Sequence, residues 1–583
     1  MKERSINSFQ NKNIFFRRIQ KQLILACTLC YISLPCCVHA QMLVKGNVKA
    51  SDEPDGLPGA TILLKETGLG TVTDYQGNFD IEADQGQTII VSFVGYATQE
   101  FQLTSADFIP ITLEADISTL DEIVVVGYGT QRKSDITGSV ASIREADMNP
   151  GPVASVSNLL QNTAPGVVLT QASAQPGGGF DVKIRGASSV LGANGPLYVI
   201  DGFPVTSDNV QPGSSSRHRS SPPRNPLNGI NPQDIISIEI LKDASATAIY
   251  GASGAYGVLL FTTKRGNSQK LTLDYSSSFS LQRLDREYDM LNAEQFATVS
   301  NEVFLSRNPG EDPIYSPAEI NTAGDGTNWI DEITRTGTIH QQQIGGSGGF
   351  KNLKYYFSAN YYQHRGIADV SELERISGRT NLDYTHNRLT AGLSVTFSRT
   401  NDKQVPFGAD SGGPEFGGLF DNTRYWSPLL SVRDDNGGFT PHPVRTLIPN
   451  PVSLLDIEDR INTNRILGTA FVQYEITSGL KAKLNLGRDQ SNSEREALIP
   501  LSVIRGAQAN GEGEAGETDS WSTLAELTLT YQKELSNNSS LTFLAGSTFQ
   551  QFDSEGSSSL FIGFADQTTD FSEITSADTI GTV

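Results

Sequence analysis

Cysteine is nearly absent from this chain. Four occur in 583 residues, and Cys27, Cys30, Cys36 and Cys37 all fall within an N-terminal export signal. Loss of that signal leaves no disulfide, thiolate metal site or cysteine nucleophile. Histidine is sparse too, with six in all, and no two have metal-ligand spacing. Basic residues are outnumbered, 44 against 65 acidic, for a net charge of −21. No basic cluster stands outside residues 1–40, which excludes nucleic acid as a partner.

Long apolar runs are also missing. Beyond residue 40 nothing approaches the roughly 18 apolar residues of a helical membrane span. A closed β-barrel, whose alternating strands give a weak hydropathy signal, stays open. Enzymatic signatures are lacking as well. Gly251, Gly254 and Gly257 follow a helix signal and not a strand, so they read as close packing and not as a dinucleotide fingerprint. Gly345-Gly346-Ser347-Gly348-Gly349 reads as a turn, and the carboxylates are scattered. The chain is expected to be no enzyme, with no catalytic residue, metal or cofactor.

What is present is 55 Gly, 18 Tyr and 27 Phe beside only 19% charged residues, a mix that favours many short strands and turns. The expected fold is mainly β, and the length requires several modules. Residues 1–40 read as a cleaved signal peptide: Arg17, Arg18 and Lys21 precede an apolar run from Leu23 to Leu34, and Val38-His39-Ala40 ends in small residues. Residues 41–115 alternate through Phe79 and Ile81, Ile89, Val91 and Phe93, and Ile111 and Leu113, which predicts a small β-sandwich. Asp74-Tyr75-Gln76-Gly77 has the chemistry of a type I turn.

Residues 116–133 form a linker centred on Ile123, Val124, Val125, Val126, Gly127 and Tyr128. β-Branched residues favour an extended backbone here, and polar flanks argue against core burial, so the segment reads as a strand available for edge pairing. Residues 134–266 are mixed α/β. Leu197–Ile200, Asp201-Gly202 and Phe203–Val205 give a hairpin signal. Asp243 is placed to cap a short helix through Tyr250, with Gly251 as its stop. The Ser-, Pro- and Arg-rich stretch from Val210 to Asn228 reads as a mobile loop.

Seven segments occur in one order: Asp121 to Thr130, Gly166-Val167-Val168, Ile184-Arg185-Gly186, Pro196 to Gly202, Asn231-Pro232-Gln233-Asp234-Ile235, Ile240 to Gly251, and Thr262 to Gly266. Together they resemble the plug of SusC/RagA-type TonB-linked outer-membrane transporters, with Tyr256 standing where that family has Asn. The sandwich upstream, through Val44-Lys45-Gly46, Leu57 to Ala60, Gly70 to Phe79 and Val91 to Tyr96, resembles the carboxypeptidase-regulatory-like domain. The resemblance implies an α/β plug over 134–266, carrying Arg185, Gly186, Asp201, Gly202, Lys242, Asp243, Tyr250 and Gly251 as motif residues. It implies that Ile123 to Tyr128 is a TonB box in the periplasm. Its implied partners are TonB with its inner-membrane energising complex, a SusD-like surface lipoprotein, outer-membrane lipid, and a glycan or peptide substrate. The implied function is TonB-dependent nutrient import.

From Leu271 onward, segments of about 10 residues alternate. Leu353, Tyr355, Phe357, Ala359 and Tyr361 share one face, as do Leu389, Ala391, Leu393, Val395 and Phe397, while Lys354, Asn360, Lys483 and Asn485 lie opposite. That suits a transmembrane antiparallel β-barrel with an apolar exterior and polar lumen. A plugged barrel needs about 22 strands, and residues 267–583 hold nine or ten by this pattern, so an incomplete barrel is expected. The alternative is a secreted or surface glycan-binding adhesion protein of stacked β-modules without transport.

Overall fold

A computed structural model describes residues 42–582, apart from 115–122, 133–139, 187–194, 206–210, 213–223, 407–416, 565–576 and shorter stretches of one to four residues. The signal read over residues 1–40 lies outside the described residues, as do Gly127 and Tyr128. The chain divides into two compact units, the first ending at Ile123 and the second holding nearly all that follows.

The first unit holds β1 (Met42–Ala50), β2 (Thr61–Leu64), β3 (Gly70–Val72), β4 (Asn78–Ala83), β5 (Thr88–Ser92), β6 (Gln99–Gln102) and β7 (Ile109–Leu113). They form two sheets, β4-β1-β7 and β3-β2-β5-β6. Period-two alternation sends Val44 and Val48, Ile62, Phe79 and Ile81, Ile89 and Val91, and Ile111 and Leu113 into one shared core. Burying these side chains contributes about 1.5–3 kcal/mol each before chain entropy is charged against it. The expected sandwich is thus present.

Downstream, β8 (Ile123–Val126) pairs with β9 (Gly129–Arg132) in a two-stranded sheet. The Val-rich segment is therefore extended, as its β-branched residues require, and one of its edges is already engaged within the chain.

The second unit begins with a five-stranded sheet in the order β10-β15-β16-β13-β14. Its strands are β10 (Val140–Arg144), β13 (Leu197–Ile200), β14 (Phe203–Val205), β15 (Ile235–Leu241) and β16 (Val258–Thr263), and a hairpin of β11 (Val167–Gln171) and β12 (Phe180–Ile184) packs beside it. The β13–β14 hairpin closes through Asp201 and Gly202, both at positive φ of 49° and 86°, as a two-residue Asp-Gly turn demands. Helix α1 (Ala244–Thr247) follows β15 and passes into a 3₁₀ turn that Gly251 kinks at φ 57°. The predicted side-chain cap is not made: only the Asp243 carbonyl accepts from the Ala246 and Thr247 amides.

The rest is a ten-stranded antiparallel wall of β17 (Thr272–Gln282), β18 (Gly337–Phe350), β19 (Leu353–Arg365), β20 (Glu372–His386), β21 (Leu389–Lys403), β22 (Glu458–Thr477), β23 (Leu480–Ile499), β24 (Glu512–Ser536), β25 (Ser539–Phe564) and β26 (Ala577–Thr582). Each strand pairs with the next, and β17 and β26 are its edges. At one rim the strands turn through two residues, as at Lys351-Asn352, Asn387-Arg388 and Ser478-Gly479; at the other they are joined by long loops such as 283–336 and 404–457. That asymmetry is the one transmembrane barrels have, with short turns on the periplasmic side.

Polarity is inverted relative to a water-soluble sheet. On β21 Leu393, Val395 and Phe397 are exposed at 43%, 38% and 45%, while Ser394, Thr396 and Ser398 on the inner face are buried. Two expectations are corrected here. Strands are longer than the predicted 10 or so residues, reaching 25 in β24 and 26 in β25, because their halves towards the long loops carry Glu494, Glu496 and Glu517 outward, where hydropathy shows no alternation. The glycine run 345–349 is not a turn but lies inside β18, where a Cβ at Gly346 or Gly348 would strike Phe357 or Tyr355 of the neighbouring strand. Aromatic rings cover the glycines, and the ladder continues.

Candidate functional site: the seam between plug and wall

The polar inner face of the wall is occupied by the mixed α/β domain, and arginines hold it there. On β20, Arg379 donates to the Asp201 carboxylate, to Thr263 Oγ1 at 2.7 Å, and to Ser394 and Thr396 at 2.7 Å each. Asp201 also accepts from the Thr263 amide at 3.1 Å and its hydroxyl at 2.7 Å. Two positions earlier on the same face as Arg379, counting by alternate residues, Arg375 is fully buried and donates to the carbonyls of Ala154, Asn228 and Ile230 at 2.7, 3.0 and 3.3 Å, with Tyr362 beneath its guanidinium at 5.1 Å.

Further pairs extend the clamp towards the long loops. Arg465 meets Asp489 in a two-pronged pair at 2.8 and 2.6 Å and reaches the Pro226 carbonyl at 2.7 Å. Arg495 does the same with Asp459, at 2.9 and 2.8 Å, and with the Pro212 carbonyl at 3.3 Å. Arg224 pairs with Asp402. The segment read as a mobile loop is thus fastened to the wall side at Gln211, Arg224 and Asn228, while Asn225 donates to Ser155 and Ser157 of the mixed α/β domain at 2.9 Å each; residues 213–223 of it lie outside the described residues. The Asn231-Pro232-Gln233-Asp234 motif makes the same kind of contact, since Asn231 donates to Gln343 at 2.8 Å and Asp234 accepts from the Tyr356 hydroxyl at 2.9 Å.

The predicted motif residues fall into two groups. Asp201 and Gly202 form the hairpin turn at the wall, and they line one cavity together with Tyr250 and Gly251. Arg185, Lys242 and Asp243 form a separate cluster. Arg185, at φ 59° beside Gly186 at 93°, is ion-paired with Asp243, and Lys242 donates to the Pro165 carbonyl at 2.6 Å. Desolvation, and then the Arg185 charge, push the Lys242 ammonium below the ordinary lysine range. Of the candidate TonB-binding residues, Ile123 to Val126 are in β8.

The wall arginines were not singled out from the sequence. Their one signal is spacing, Arg375 and Arg379 on the polar face of an alternating strand, which reads equally well as a solvated face. Among the described residues no cluster of His, Cys, Asp and Glu could hold a metal ion, and no helix is long and apolar enough to cross a membrane.

Residues 132–258 match the TonB-dependent receptor plug domain, and residues 44–125 the CarboxypepD_reg-like domain. The chain is 34% identical over 517 residues to TonB-dependent receptor P3 of Formosa agariphila, covering 88% of this chain and 48% of that protein. It is 32% identical to TonB-dependent receptor SusC of Bacteroides thetaiotaomicron, covering 79% and 45%. The chain carries the domains of the SusC-like TonB-dependent receptors and is similar to them in sequence. The fold agrees: the RagAB peptide importer in its open-open state superposes with a TM-score of 0.65 at 20% identity, over 79% of this chain and 53% of that one. The SusC-like chain spans about half the length of the relatives it matches. The mixed α/β domain is accordingly a plug, and the seam described above is a plug–wall contact.

Proposed function

We propose that this SusC-like chain serves TonB-dependent active import of a nutrient across the bacterial outer membrane. The observation that carries the reading is a plug lodged by buried ion pairs against the polar face of a sheet whose other face is apolar. Such pairs fix a position without supplying much net stability, so a plug held this way can be displaced by a modest pull. In this reading the apolar face meets outer-membrane lipid, and the sandwich and the Ile123–Tyr128 box stand in the periplasm. The substrate in this reading is an oligosaccharide or an oligopeptide, the second being the class named for the RagAB peptide importer, whose fold the chain shares. A SusD-like surface lipoprotein covers the outer opening.

TonB captures the box by β-augmentation, in which backbone hydrogen bonds give affinity and alternate side chains give register. Pairing with β9 leaves β8 one edge outside its two-stranded sheet, and that edge is where a further strand adds. Val125→Pro in the full-length protein removes one backbone donor and introduces a ring clash, while Val124 keeps the extended geometry that a following proline favours. Substrate binding to the outer face should be unchanged and energised uptake lost. Uptake at the native rate by this variant would overturn the assignment of the box.

A further inference from the structure

Two chambers of mixed polar and apolar lining lie along one sector of the wall, on either side of the β13–β14 hairpin. One, of about 390 Å³, lies towards the long loops and is lined by Pro226 and Gly229 of the plug and by hydroxyls such as Ser491, Ser493 and Ser522. The other, of about 430 Å³, lies towards the short turns and is lined by Phe203, Asn485, Glu526, Thr548 and Gln550. Position along β23 orders them: Lys483, Asn485 and Leu486 border the second chamber, and Asp489, Ser491 and Ser493 the first.

Gly487 falls between the two sets and borders neither. Alternation turns it inward, and a Cβ there would collide with the Phe203 ring, so the missing side chain is the notch in which that ring sits. Leu467 of β22 and Leu524 of β24 join Phe203 in one apolar cluster and are 4% and 5% exposed. Phe552 of β25 borders both chambers. An apolar layer one side chain thick thus separates two spaces into which hydroxyl, amide and charged groups project.

We propose that this sector of the seam is the route of transport and that Phe203 is its gate. The proposal rests on the import reading and deepens it. Phe203 begins β14, a three-residue edge strand that among the described strands pairs with β13 alone, and its turn is tied to the wall through Asp201 and Arg379. Breaking that tie frees a short hairpin, which withdraws the ring from the notch and joins the chambers. Arg465 is paired with Asp489 in the first chamber and Glu526 accepts from Asn485 at 2.8 Å in the second, while Asp553 also lines the first and Lys483 the second. The route therefore suits polar solutes that exchange hydrogen bonds with hydroxyl, amide and charged groups.

The test uses the full-length protein in planar lipid bilayers without TonB, reading passive conductance. Phe203→Ala should raise the leak severalfold, and Phe203→Leu should keep it near the wild-type level. A folded Phe203→Ala protein with wild-type leak would overturn the gate. A second test holds the hairpin in place: residues 41–583 hold no cysteine, so in a full-length protein cleared of any other cysteine Phe203→Cys with Gly487→Cys can be tethered by oxidation or a short bis-maleimide. Uptake driven by TonB should stop on disulfide formation and return on reduction, and uptake that continues through the tether would overturn the proposal. Leak is read without TonB, so its failure to appear leaves import standing, whereas a wild-type protein that never imports removes the import reading itself.

Discussion

At Asp74 one carboxylate oxygen accepts from the Gln76 and Asn78 amides at 2.8 Å each, and the Gly77 amide closes the turn on the Asp74 carbonyl at 3.0 Å. Asp434 repeats the arrangement with Asn436 and Gly438 at 2.9 Å each. Both sites read Asp-x-x-Gly-x-Phe, with glycine at φ 78° and 84°, so a structure set by six consecutive residues was legible in the sequence. Asp243 was not, because its carboxylate prefers Arg185, 58 positions upstream, over the local cap. The amide donors, Asn78 first, hold the Asp74 carboxyl below its ordinary 3.8. A folded value under the unfolded one gives stabilisation that is complete above 3.8 and is lost as pH falls through the lower folded value. Asp74→Ala should therefore speed hydrogen exchange at the Gln76 and Asn78 amides severalfold near neutrality, after correction for intrinsic rates. Wild type and variant should converge in strong acid; a constant difference across the acid range would show that charge is not what closes the turn.

Strands were legible where one face is apolar and the other polar, which is why ten appear where nine or ten were expected. They were misread in length where both faces are polar, and the partners of the inner arginines were invisible. Arg375, Arg379, Arg465 and Arg495 bond to plug groups 147, 178, 239 and 283 residues away, distances over which no sequence pattern holds phase. The apolar face gives the clearest element-scale prediction. Val395→Arg places a guanidinium outward on β21 at a side chain 38% exposed. On a lipid-facing strand this should cost up to about 2–4 kcal/mol at mid-membrane, read as lower folding free energy into vesicles. An adhesion protein in water would tolerate the same change or gain solubility from it, so an unaltered stability would return the alternative reading to the front.

At the scale of the molecule, two kinds of cohesion meet. The wall is a continuous ladder in which β22 to β24 each pair with neighbours on both sides over 15 residues or more, whereas the plug is held largely by ion pairs and bonds to carbonyls. Buried pairs repay little beyond their own desolvation, and urea competes well for peptide groups. The plug should therefore leave before the wall unfolds. Trp329, Trp426 and Trp521 all lie outside residues 134–266, and the first two pack together with Ile448 in the long loops, so the fluorescence of those two reports the loops. In the full-length protein, hydrogen exchange of plug peptides spanning 225–241 should rise at a lower urea concentration than the fluorescence change. Arg379→Ala strands the Asp201 carboxylate, whose side chain is only 3% exposed, and should lower the first transition by about 3–5 kcal/mol while leaving the second in place. Coincident transitions in both proteins would mean that plug and wall form one cooperative unit, and a motor pulling on β8 would then have to work against the whole fold.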